Sequence, residues 1–272
     1  MKKYRFFLIG CMLFAFLSAN AFTVVFNISN ITDMSWLEDY DSIKAAMIMW
    51  LPGEVGTNSV GEVLTGKVNP SGKLTDTIAY SIDDHPSSEC FGSNKYNGGE
   101  HFVEYYEGIY VGYRYFETFA KDKVRYPFGF GMSYTTFDIN TVSASSDEFN
   151  TVLEISVKNT GGYKGKEVVQ VYLEAPQGKL GKASRVLCGY EKTRELMPGE
   201  EQVLKIRIDI RDFASYDDSG VTGHRFCRIL ESGKYNFYVG SDVRSAKNSC
   251  GMEIEEDLIV EQLKQALAPV TP

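Results

Sequence analysis

Cysteine and histidine are scarce in this chain of 272 residues. Cys11, Cys90, Cys188, Cys227 and Cys250 are odd in number and widely spaced, with no C-x-x-C pair. That pattern argues against a zinc site and leaves most of them as buried or free thiols. His85, His101 and His224 stand alone, without metal-ligand spacing, so no metal is expected. No G-x-G-x-x-G fingerprint and no P-loop is present; the glycines fall at turns, and no cofactor is expected. Lys and Arg are outnumbered, 28 against 36 acidic side chains, for a formal net charge of -8. Without a basic cluster the chain has no footprint for nucleic acid.

What is present is globular in texture. The chain is 43% hydrophobic and 24% charged, enough apolar material for a sizeable core, and its length suits about two domains. The 17 Tyr and 17 Phe suit strands first and sugar-binding surfaces second. At the N-terminus Lys2, Lys3 and Arg5 precede an apolar run over residues 6–17, followed by Ala19-Asn20-Ala21. The run is too short for a comfortable membrane span of about 20 residues. The three parts together match a secretory signal cleaved before Phe22. The expected location is therefore secreted or cell-envelope; without a working signal it is cytoplasmic.

Two textures follow along the chain. Residues 22–29 and 45–50 are apolar runs read as buried strands. After the second, Pro52-Gly53 marks a turn, and Val60, Val63 and Leu64 recur at helical spacing before Gly66. Strand, loop and helix in that order are an α/β signature. Asp33 and Asp76 read as cap or turn residues. Residues 83–99 read as a solvated loop, and an aromatic stretch covers residues 105–119. From about Phe137 the pattern changes to alternation. Leu153, Ile155 and Val157 oppose Glu154 and Ser156; Val169, Val171 and Leu173 oppose Gln170 and Tyr172. Leu204, Ile206, Ile208 and Ile210 repeat the pattern, and Tyr235, Phe237 and Val239 form the last clear strand. Turn signals between these runs argue for an all-β sandwich. The tail suggests a short helix over residues 261–266 and a disordered end.

Several of these stretches resemble glycoside hydrolase family 3. Trp50-Leu51-Pro52-Gly53-Glu54-Val55-Gly56 looks like that family's W-x-P-G-x-x-G turn. Residues 63–74 look like its VL-x-G-x-VNPSGKL segment, residues 107–116 like its EGIYVGYRYY/F block, and residues 126–135 like its PFG-x-GLSYT block. Asn159-Thr160-Gly161, residues 165–170 and Pro198-Gly199-Glu200 look like its fibronectin type III-like domain. The matches follow the family order over residues 22 to about 242, and their specificity lies in the combination. The resemblance implies part of an α/β sandwich domain followed by an immunoglobulin/fibronectin type III-like β-sandwich. The implied division is 1–21 signal, 22–135 the C-terminal half of the α/β domain, 136–250 the fibronectin-like domain and 251–272 tail.

A retaining glycosidase needs two carboxylates about 5 Å apart. In the family the nucleophile is an Asp of a (β/α)8 barrel, and the common acid/base is a Glu in the first half of the sandwich domain. Both motifs would lie before residue 22, so no catalytic residue is assigned here. Glu54 and Glu107 are the candidates for a substrate rim. Glu54 follows a buried strand, where α/β ligand sites form. Glu107 lies in the most aromatic stretch, with pairing to Arg114 as its structural alternative. Tyr106, Tyr110, Tyr113 and Tyr115 are expected to pack in the core or between domains. Three functions are open: a C-terminal fragment inactive by itself, one subunit of a split glycosidase, or a secreted non-enzymatic carbohydrate-binding or adhesion module. The implied partners are a separate barrel chain or a homo-oligomer, with a β-linked glucoside or xyloside as substrate once complemented.

Overall fold

A computed structural model of the chain describes residues 14–15, 21–89, 95–97, 100–102, 105 and 107–266. Most of the signal-like segment, Cys11, Cys90, Tyr106 and the side chain of His101 lie outside the described residues. Strand β1 (Phe14–Ala15) pairs antiparallel with β2 (Phe22–Phe26), and β2 pairs parallel with β3 (Ile43–Ile48). A parallel pair needs a crossover. Here it includes a 3-10 helix, Ser35–Asp39, opened by the Asp33 side chain, which accepts from the Ser35 N–H at 2.9 Å. Met34 and Leu37 from this crossover close over Val24, Phe26 and Ile78 in a small core.

The two apolar runs do not fare alike. β2 buries Val24, Val25 and Phe26, but β3 leaves Lys44, Ala45 and Ala46 exposed. The expectation that residues 45–50 form a buried strand is corrected on burial. β3 ends the order β1-β2-β3, so among the described residues no strand covers its outer edge. Helix α1 (Thr57–Leu64) forms where the spacing placed it, closed by Gly66 at φ +74°. β4 (Ile78–Ala79), the hairpin β5 (Lys95–Asn97) and β6 (Glu100–Phe102), and helix α2 (Tyr113–Phe119) lead to β7 (Val124–Tyr126), which pairs back to β4.

The alternating half folds as strands β8 (Phe137–Ser146), β9 (Asn150–Asn159), β10 (Val168–Glu174), β11 (Val186–Lys192) and β12 (Glu201–Asp209). It continues with β13 (Ser215–Asp217), β14 (Cys227–Leu230), β15 (Gly233–Gly240), β16 (Lys247–Ile254) and β17 (Leu258–Gln262). One sheet has the order β12-β9-β8, and a second the order β11-β10-β15-β16. Between them lie Leu153, Ile155, Val157, Val169, Val171, Leu204, Ile206, Ile208, Tyr235 and Phe237. Each such burial contributes roughly 1.5–3 kcal/mol, so the sandwich carries the larger share of the core.

Gln170 and Tyr172, on the opposite face of β10 from Val169, Val171 and Leu173, are as buried as those neighbours, because the α/β part covers that outer face. One expectation fails here. The helix expected over residues 261–266 is not formed. β17 pairs instead with β14 in a third sheet, β13-β14-β17, because Leu258 and Val260 pack on the sandwich core.

Candidate functional site

The aromatic stretch forms the seam between the two halves. Tyr113, the first residue of α2, stacks on Phe128 with ring centroids 4.3 Å apart and meets Tyr172 edge-on at 6.3 Å. Its hydroxyl accepts from the Leu187 N–H at 2.8 Å. Gln170 then reaches across from β10, donating from Nε2 to the Gly129 carbonyl at 3.1 Å and to the Ser241 carbonyl at 2.6 Å. The Tyr172 hydroxyl donates to Gln170 Oε1. Gly129 is at φ +80°, and a Cβ there would fall 2.1 Å from Gln170 Oε1. The position admits only glycine, for both reasons. One turn along α2 from Tyr113, the buried carboxylate of Glu117 accepts from Arg244 Nε at 2.7 Å. Glu167 pairs with Lys73 at 2.7 Å.

The two rim candidates sit on loops of the α/β part. Glu54 is exposed in the turn after β3, beside Trp50 at φ 52° and Gly53 at φ 70°. A Cβ at Gly56 would fall 2.2 Å from the Pro52 carbonyl oxygen, so this turn is fixed in shape. It lies at the carboxyl end of the parallel pair, where α/β folds place ligands. Glu107 is half-buried and opens a turn closed by the Tyr110 N–H to its carbonyl at 2.8 Å. Its expected pairing with Arg114 is not made: among the described residues Arg114 has no carboxylate within ion-pair distance. The helical turn of α2 carries Arg114 toward the β-sandwich instead. Tyr110 meets Phe119 at 4.8 Å, and Tyr115 packs on Phe116 and Phe119, as expected of packing aromatics.

Sequence reasoning placed His85 in a solvated turn, and the structure corrects this. His85 is 9% exposed and meets Phe116 edge-on at 4.9 Å, with no partner for Nε2. Burial pulls its pKa down, and the Asp76 and Asp84 carboxylates offset part of that. Sequence reasoning also missed Gln170, Glu117 and Arg244. Their partners are 41 and 127 residues away, beyond any local pattern.

Asp147, Glu200, Asp209, Asp217 and Asp257 have carboxyl groups that depart from the ordinary range, and every one departs downward. A general acid working near neutrality needs the opposite shift. Among the described residues no group of three His, Cys, Asp or Glu side chains is arranged to hold a metal ion, and no helix is long and apolar enough to cross a membrane.

A partial α/β unit locked through aromatic rings onto a seven-strand, two-sheet β-sandwich defines an α/β plus fibronectin-like architecture. Residues 12–134 match the glycosyl hydrolase family 3 C-terminal domain, and residues 167–243 match the fibronectin type III-like domain. A β-glucosidase of Ruminococcus albus is 51% identical over 92% of this chain and 25% of its own length. β-glucosidase A of Butyrivibrio fibrisolvens is 42% identical over 91% of this chain and 31% of its own. The solved β-glucosidase of Paenibacillus barengoltzii superposes with a TM-score of 0.87 at 43% identity, over 93% of this chain and 28% of that one. The chain thus spans between a quarter and a third of the length of these relatives. It belongs to glycoside hydrolase family 3, of which it carries the C-terminal domain and the fibronectin type III-like domain.

Proposed function

We propose that these residues are the non-catalytic C-terminal unit of a β-glucosidase-like glycoside hydrolase. They complete an active site whose nucleophile comes from a barrel domain and whose acid/base comes from the first half of the sandwich domain, on the same longer polypeptide or on a partner chain. The observation that carries this reading is the 51% identity to the Ruminococcus albus β-glucosidase, confined to 25% of that enzyme's length. The downward shifts of the five perturbed carboxyl groups support it, because none of those groups is prepared as a proton donor. In this reading the fixed turn bearing Glu54 and the loop bearing Glu107 rim a site for a β-linked glucoside or xyloside. Where the barrel is a separate partner chain and residues 1–21 act as a signal, the location that goes with this reading is secreted or cell-envelope.

The test is complementation. The purified chain by itself is expected to leave aryl β-glucosides at the background rate. Added to the Ruminococcus albus enzyme deleted for the matching quarter, it is expected to restore hydrolysis. Hydrolysis by the chain alone, abolished by Glu107→Gln, overturns the reading.

A further inference from the structure

A cavity of about 230 Å³ opens beside the seam, between α2, the loop before β11 and the 3-10 turn Ile210–Phe213. Its floor is apolar, with Leu173, Val186 and the Phe213 ring. Three polar residues besides Lys182 line it with them: Arg114, Asp212 and Ser215. Among the described residues none of the three side chains has a hydrogen-bond partner, and Arg114 and Asp212 are not paired with each other. The other cation at the cavity, Lys182, is committed to the buried carboxylate of Glu231.

Half-buried Arg114 is the unusual member of this set. A guanidinium holds five donors and usually meets a carboxylate or carbonyl when removed from bulk water. Apolar lining beside a few polar residues whose side chains have no hydrogen-bond partner among the described residues is the form of a small-molecule site. The volume lies below the roughly 300–1,000 Å³ of drug-sized pockets, so the ligand is small. The donors of Arg114, the acceptors of Asp212 and the hydroxyl of Ser215 suit a ligand that both donates and accepts at several points. An apolar floor with one aromatic ring suits a C–H face. We infer that this cavity binds a single pyranose, as an accessory sugar site built wholly from this chain. The choice of a sugar rests on the glycosidase reading above; the existence of the site does not.

The experiment is saturation-transfer NMR on the full chain, with methyl β-D-glucopyranoside as the probe and glycine as a zwitterionic competitor. Binding with a millimolar dissociation constant is expected. Arg114→Ala and the exposed-site variant Asp212→Asn are each expected to weaken it about tenfold or more, while glycine leaves it unchanged. Asp212→Asn alters only an exposed side chain, so it keeps the test valid should Arg114→Ala misfold. No transfer to the glucoside overturns the proposal, and so does transfer that survives both variants. Displacement by glycine overturns the sugar assignment, since Arg114 and Asp212 would then be reading a carboxylate and an ammonium group. None of these readouts involves hydrolysis or a barrel chain, so this site and the proposed function fail separately.

Discussion

Asp217 is wholly buried at the end of β13, and burial alone would raise its carboxyl pKa. Hydrogen bonds reverse that. Thr222 donates through its N–H at 2.9 Å and its hydroxyl at 2.6 Å, Gly220 through its N–H at 2.6 Å, and Ser219 through its hydroxyl at 3.0 Å. The net effect holds Asp217 well below the carboxylate range. Its folded pKa is depressed, so its contribution to stability is complete above the unfolded value of about 3.9 and is lost as pH falls through the folded value. Asp217→Asn is expected to lower the melting temperature at neutral pH, by roughly 2–4 °C per kcal/mol lost. It should also flatten the loss of stability below about pH 4. An unchanged acid limb in thermal scans would count against this account.

His85 has the opposite chemistry. Its pKa is lowered because the neutral ring sits among Phe116 and the adjoining core, with Asp76 and Asp84 only partly compensating. The unfolded chain therefore takes up a proton near pH 6.5 before the folded chain does, and stability falls as pH drops from there toward the folded pKa. His85→Gln is expected to remove that slope, read as a melting temperature that no longer falls between about pH 6.5 and 5.

At the scale of elements, α2 is held by contacts the β-sandwich supplies. Tyr113→Phe keeps the stacked ring on Phe128 but leaves the Leu187 N–H without its acceptor, at a cost of about 1 kcal/mol. Tyr113→Ala also empties the seam, and about 3–5 kcal/mol is expected from chemical denaturation. The strands of the sandwich were legible because their alternation has the period of a half-buried sheet: Leu153, Ile155 and Val157 face the core as the sequence suggests. α1 was legible from Val60, Val63, Leu64 and the closing Gly66. The second face of β10 was not legible, because Gln170 and Tyr172 look like solvent-facing residues until Gly129 and Tyr113 arrive from distant sequence. β17 was missed since Leu258-Ile259-Val260 is too brief a run to declare its pairing with β14. At the candidate site, the turn that carries Glu54 was readable from Pro52-Gly53. That Arg114 makes no ion pair among the described residues was not, since Glu107 and Arg114 sit on separate elements, a turn and the first turn of α2.

For the whole molecule, order is unevenly distributed. The sandwich has two full sheets around a continuous core, whereas the α/β part has a small core and, among the described residues, an edge at β3 that no strand covers. Uncovered edges open easily and invite pairing with other chains. Hydrogen exchange is expected to be slow across β9, β10, β12 and β15 and markedly faster across β2 and β3. Equal protection of residues 22–50 and the sandwich would show the α/β part to be self-sufficient. Limited proteolysis is expected to leave a fragment that begins near Tyr113 rather than near Phe137, because α2 and Phe128 stay with β10.

The bond from Gln170 to the Gly129 carbonyl bears on inheritance as well as folding. A sandwich borrowed from an unrelated protein would bring no amide at that height and no Tyr172 to hold it. A recombination joint between the two halves would strand a left-handed glycine against an ill-fitting surface. Crossovers that keep residues 113–172 together preserve both sides of the lock. Gene exchange among such enzymes should therefore leave breakpoints outside that interval, with the two halves travelling through lineages as a single cassette.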